Sequence, residues 1–184
     1  KAAAASAKDE GRAVEYDREL AKADEVYGAK FRELTYQADG KSYKEITEIA
    51  KDPEALKVGQ RLFLQNCSQC HGSDARGGRG FPNLTDSEWQ WGGQPENIKT
   101  TIMGGRQGIM AAWGEILGKD GVQEVASYVL SLSGRKVDLV EAKKGEARFA
   151  ICAACHGADA KGGIAVGAPD LTNNTWLYGG SREV

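Results

Sequence analysis

The sequence predicts an all-α fold: two tandem copies of one small domain, the second incomplete, behind an amphipathic helical segment. Three observations predict it. The pentapeptide Cys67-Ser-Gln-Cys70-His71 returns as Cys152-Ala-Ala-Cys155-His156, 85 residues on, inside a longer stretch of agreement. Apolar residues recur at helical steps of three and four, and no alternating strand pattern competes with them. Pro and Gly-bearing pairs punctuate these runs where helices start and stop.

Residues 1–51 read as a helical segment or linker. Positions 1–50 hold nine Lys/Arg and eleven Asp/Glu, interleaved, while Tyr16, Leu20, Ala23, Tyr27, Phe31 and Leu34 fall at helical steps. That is an amphipathic helix with a solvated face, and no chemistry is assigned to its charges. The first copy spans 52–134. Asp52-Pro53 offers an N-cap followed by Pro at the first helical position, and the helix through Leu56, Leu62 and Phe63 delivers Cys67 at its end. Pro95 starts a helix through Ile98 and Ile102 that Gly104-Gly105 stops. Asp120 and Gln123 have capping-box spacing ahead of Val122, Val125, Ala126, Val129 and Leu130, and Ser133-Gly134 ends that run.

The second copy occupies 135–184. His71-Gly72, Ala75 and Gly77-Gly78 match His156-Gly157, Ala160 and Gly162-Gly163. A two-residue insertion then moves the shift to 87, where Pro82, Leu84-Thr85, Trp89 and Gly92-Gly93 match Pro169, Leu171-Thr172, Trp176 and Gly179-Gly180. Gly145 and Phe149 echo Gly59 and Phe63 at a one-residue offset.

Composition narrows the function classes. The net charge of −2 and a pI near 5.8 lack the basic excess that a phosphate backbone demands, so nucleic acid is not an expected partner. The chain has no run of about 18 apolar residues, the length a membrane-spanning helix needs. It opens in an Ala/Lys stretch and closes mid-motif at Val184, so a longer parent protein is expected.

The two pentapeptides are haem-attachment signatures. Two intervening residues place both thiols on one helical turn, where they form thioethers to the two vinyl groups of a haem, and the adjacent imidazole reaches the iron from one face. A zinc site would consume nearly all the Cys and His, and a thioredoxin-type dithiol has no use for the following His. Cys67, Cys70 and His71 are therefore expected to hold one haem c, and Cys152, Cys155 and His156 a second. Both histidines of the chain serve as fifth ligands, so bis-histidine coordination within it is excluded. Of the two methionines, Met110 lies in the glycine-bearing loop Gly105 to Trp113 and is the expected sixth ligand, whereas Met103 on the preceding helix reads as core packing. Adding 87 to 110 puts the second copy's loop at 197, beyond Val184. Trp89, Trp113, Trp176 and Phe81 are expected as pocket walls, and Arg76 and Arg106 as propionate partners or ordinary surface cations. No general acid, nucleophile or phosphate loop is evident.

With the repeat, the segment Gly104-Gly105-Arg106-Gln107-Gly108-Ile109-Met110-Ala111-Ala112-Trp113-Gly114 and the helix end Tyr128-Val129-Leu130-Ser131-Leu132-Ser133-Gly134 in view, the chain resembles the dihaem subunit (CcoP, subunit III) of cbb(3)-type cytochrome c oxidases. Met110-Ala111 stands where such loops usually have Met-Pro. The resemblance implies tandem cytochrome c domains on the periplasmic side of the bacterial inner membrane, held by an anchor ahead of Lys1. Electrons would arrive from a donor cytochrome c and pass to the monohaem and catalytic subunits of the terminal oxidase. It also implies crossed ligation, with Met110 on the iron of the Cys152/Cys155/His156 haem. The 39 residues from His71 to Met110 equally permit ligation within one domain, so spacing does not choose. Two other readings stay open: a free soluble dihaem carrier and a dihaem peroxidase.

Overall fold

The computed structural model describes residues 2–181, with side chains from residue 13 onward. Lys1 and residues 182–184, the last of the second copy, lie outside the described residues. The chain divides into two compact units, 1–63 and 64–184. Its described residues are helical, with three isolated bridges and no named strand.

In the first unit, helix α1 (Ala2–Ala23) runs through a π-helical turn (Asp24–Gly28) into α2 (Ala29–Thr35). The Arg32 guanidinium donates to Asp24 at 2.7 Å alongside that turn. The helix ends at Thr35, one residue past Leu34, the last of the apolar helical steps. Tyr36 is extended (φ −101°, ψ 154°), and Asp39 Oδ1 accepts the N–H groups of Lys41 at 2.8 Å and Ser42 at 2.9 Å, closing a tight turn. The Tyr36 hydroxyl meets that of Tyr43 at 2.8 Å across the turn. Leu34 is buried, whereas Tyr16, Leu20, Tyr27 and Phe31 remain 50–69% exposed.

A short α3 (Ile46–Ile49) precedes α4 (Pro53–Asn66), which starts where the sequence predicts. Asp52 Oδ1 accepts the backbone N–H groups of Glu54 at 2.8 Å and Ala55 at 3.2 Å. Those bonds hold the Asp52 carboxyl below its ordinary range.

The second unit begins in the last turn of α4 and continues with α5 (Ser68–His71), a long loop, α6 (Pro95–Gly104), the methionine loop and α7 (Gly114–Leu132). Pro95 sits in the first turn of α6 and Gly105 (φ 68°) terminates it, as the sequence predicts. Helix α7 is broken at Gly118 (φ 66°, ψ 172°), two residues before Asp120, so a glycine kink opens its long arm where the sequence places a helix start. Helix α8 (Leu139–Arg148) is capped by Asp138, whose side chain accepts from Val140 N at 2.8 Å and Glu141 N at 3.0 Å. A 3-10 turn (Phe149–Ile151) then leads to α9 (Ala153–His156).

The last helix of the first copy, α7, packs on the first helix of the second, α8. Gly145 permits the close crossing, since a Cβ there would overlap the Glu124 carbonyl. Beside it the buried Glu124 carboxylate accepts from Arg148 at 2.6 Å and lies 3.5 Å from Lys144. Buried Ser127 donates to Glu141 at 2.9 Å, and Tyr128 meets Phe149 edge-on at 5.2 Å.

The Arg148 hydrogen bond holds the Glu124 carboxyl below its ordinary value of 4.5, against the opposing effect of burial, and the charges of Arg148 and Lys144 add to the lowering. Because the folded value is the lower one, this joint contributes stability above pH 4.5 that is lost as pH falls through the folded value. Glu124→Gln should therefore melt at a lower temperature than the parent at neutral pH and lose less of its stability on acidification. Thermal melts between pH 7 and 3 check this; parallel curves for the two proteins would refute it.

The copies also meet reciprocally through their loops. Gly80 N–H donates to Leu177 O at 2.7 Å, and the Gln90 side-chain amide donates to Gly167 O. Gly80 and Gly167 are equivalent at the shift of 87, as are Gln90 and Leu177. Each copy thus offers its glycine to the same segment of the other, the pattern of a two-fold interface inside one chain. A bond from the Asn173 amide to Glu88 lies in the same seam.

Candidate functional site

Each pentapeptide adopts the same conformation. Cys67 precedes α5 while Cys70 and His71 lie in its single turn; Cys152, Cys155 and His156 repeat this on α9. One turn brings both thiols and the imidazole of each motif together. All four cysteines are unbridged. Partial burial pushes the Cys152 thiol pKa up.

The histidines are oriented by their surroundings. His71 Nδ1 lies 2.9 Å from Pro82 O, and His156 Nδ1 lies 3.0 Å from Pro169 O. A carbonyl accepts only, so Nδ1 carries the proton and Nε2 is left with its lone pair, the form a metal-ligating imidazole takes. The Pro carbonyls are held by loops that also repeat. Gly77 N–H donates to His71 O and Gly162 N–H to His156 O, both at 2.7 Å. Leu84 N–H donates to Ala75 O and Leu171 N–H to Ala160 O, both at 2.8 Å. Among the described residues, Ala75 (φ 59°) and Ala160 (φ 58°) are the non-glycine residues in the left-handed region, the same strain at the same place in each copy. The two-residue insertion is absorbed in one turn: Gly78 pairs with Phe81, and Gly163 with Ala168.

The surroundings fit a large apolar macrocycle carrying carboxylates. On α6 and the following loop, Ile102, Met103, Ile109 and Met110 are 75–85% exposed, an apolar surface that a bound macrocycle would cover. Met103, which the sequence assigns to core packing, is 80% exposed and belongs to this same apolar set. Phe81 stands edge-on to the His71 ring at 6.1 Å. Trp176 Nε1 is buried without a hydrogen-bond partner among the described residues, and a haem propionate is one acceptor that would satisfy it. Arg135, whose guanidinium lies 5.1 Å above the Trp176 ring, was missed by the sequence reading because no arginine matches it in the first copy. Trp89 and Trp113 are half-buried. Arg76 is exposed with Asp74 at 3.8 Å. Arg106 instead covers the ring of Trp91 at 5.3 Å.

The methionine loop lies against the second copy. At Gly108, two residues before Met110, the position of a Cβ has Trp91 and the Val166 and Gly167 carbonyls 3.6–3.7 Å away.

Comparison with known proteins decides the family. A profile for cytochrome c oxidase, cbb3-type, subunit III matches residues 54–129, and a cytochrome c profile matches 142–183. The cbb3-type oxidase subunit CcoP of Rubrivivax gelatinosus is 54% identical over 132 residues, 71% of this chain and 43% of that protein. The chain belongs to the subunit III family of cbb3-type cytochrome c oxidases. The FixP subunits of Sinorhizobium medicae (42% identical over 152 residues, 75% of this chain and 53% of the relative) and of Bradyrhizobium sp. strain ORS 278 (40% over 181, 88% and 59%) agree. The chain thus spans about half the length of the curated relatives it matches. Membership makes it a protein of tandem cytochrome c domains, the fold class the sequence predicts, and such domains hold haem c covalently. None of the helices among the described residues is long and apolar enough to cross a membrane.

Proposed function

We propose that the chain carries two haems c and passes electrons from a donor cytochrome c toward the oxygen-reducing centre of a cbb3-type oxidase. The observation that carries this reading is the duplicated motif geometry, in which each His is fixed through Nδ1 by a Pro carbonyl on the equivalent loop of its copy. Bound haem supplies a one-electron iron couple. Cys67 and Cys70 tether one such group, Cys152 and Cys155 the other, and His71 and His156 each present Nε2 to the iron. The chain's partners are the catalytic and monohaem subunits of the oxidase, on the periplasmic side of the inner membrane, with an anchor outside this sequence.

Met110 is the sixth ligand of the haem on Cys152, Cys155 and His156. The contact of Gly108 with Val166 and Gly167 supports crossed ligation, because it brings the loop of the first copy to the wall of the second. Holding two irons in interlocked domains makes the chain a relay rather than a site of substrate chemistry.

A haemochrome assay of the denatured, full-length chain tests the reading. Two covalent haems are expected in the parent, and one in the Cys152→Ala/Cys155→Ala variant. A single haem in the parent would overturn it.

A further inference from the structure

The methionine loop needs something to hold it. It carries five exposed residues in succession from Arg106 to Met110, and Met110 is followed by Ala111, which has none of the φ restriction a proline would impose. Its neighbours supply the constraint. Trp91 is half-buried between the two copies: on one side a Cβ at Gly167 would overlap its ring, and on another the Arg106 guanidinium covers it at 5.3 Å. The same indole reaches to 3.6 Å from the Cβ position of Gly108. Gly167 is buried and left-handed (φ 66°), so that it both turns the chain and leaves the space the ring occupies. Its carbonyl also accepts from Gln90, the residue before Trp91.

From this arrangement we infer that Trp91, seated on Gly167, is a positioning residue that fixes the Met110 loop against the second haem domain. The inference rests on the proposal that Met110 ligates the second haem. The indole is a rigid plate with one face given to the second copy and its remaining surface to the loop, so loop and second domain are located relative to one ring. Arg106 adds a cation–π contact from within the loop itself. At the shift of 87 the position is occupied by Tyr178, whose ring in turn lies 3.8 Å from the Cβ position of Gly80. The seat is therefore duplicated, with the larger ring on the side whose loop carries Met110.

The test uses the full-length dihaem protein and compares the variants Trp91→Ala, Trp91→Phe, Gly167→Val and Met110→Ala. The readouts are covalent haem content, the sulfur-to-iron charge-transfer band of the oxidised protein, and redox titration resolving the two haems. Trp91→Ala and Gly167→Val should keep both haems yet lose the same portion of the band as Met110→Ala, with the same haem falling in potential; Trp91→Phe should retain most of it. A Trp91→Ala protein that melts earlier but keeps the full band and both potentials would overturn the inference while leaving Met110 as ligand. Should Trp91→Ala fail to fold, Gly167→Val decides by the same readouts. An unchanged band in Met110→Ala would remove the ligand assignment and the inference with it.

Discussion

Replacing Cys67, Cys70, Cys152 and Cys155 by Ser should leave a chain with no cooperative thermal transition for residues 64–184. Among the described residues of that unit the buried hydrophobic ones are Leu130, Ala142, Phe149 and Ala160, with Phe81, Ile102, Met103, Ile109, Met110 and Val166 at 44–85% exposure. A fully buried Leu or Phe contributes roughly 1.5–3 kcal/mol, while each ordered residue costs about 1–2 kcal/mol of conformational entropy. So few buried side chains cannot order a unit of this length. Two covalently held macrocycles would provide the missing apolar surface. The reciprocal seam and the α7–α8 joint make the copies interdependent, so removing one attachment site should also lower the melting temperature of the copy that keeps its haem. Far-UV circular dichroism melts of the four-serine and two-serine variants give the answer. A sharp, native-like transition in the four-serine protein would show that the polypeptide alone suffices.

Met110→Ala in the full-length protein should lower the potential of one haem and leave the other unchanged. A thioether is a soft, neutral ligand that favours ferrous iron, so its loss stabilises the oxidised state. A fall on the order of 0.1 V is expected, well inside the roughly 0.8 V range that axial ligands command. Under crossed ligation the hyperfine-shifted proton resonances of His156 change while those of His71 persist. Redox titration with nuclear magnetic resonance of the oxidised protein separates the cases. A change at His71 alone would place the methionine on its own domain's haem. No change in either potential would remove Met110 from the coordination sphere.

Much of this architecture was legible in the sequence because covalent attachment is written locally. Two thiols and an imidazole on one helical turn need no distant residue to declare themselves, and their duplication carried Ala75/Ala160, Gly77/Gly162 and Pro82/Pro169 with it. Helix starts at Pro53 and Pro95 and stops at Gly105 and Gly134 were equally local. What local spacing does not carry is where an element stops and what lies against it. The apolar steps do not say where the N-terminal helix stops, because the stop at Thr35 is followed by a turn that Asp39 closes.

The sequence by itself determined that the Cys-x-x-Cys-His motif occurs twice, which residues are proposed to anchor haem, and that the surrounding chain is helical. Each of these follows from spacing over a few residues. Only the tertiary structure decided that Pro82 and Pro169 use their carbonyls to orient the two histidines, since a carbonyl's partner is not encoded in residue type. The same holds for the crossing at Gly145 and for the exchange of Gly80 and Gly167 between copies, where the absence of a side chain matters only once another chain segment arrives. Trp91 was invisible in the repeat because its counterpart is Tyr178. Its position between the methionine loop and the second domain is a property of the fold.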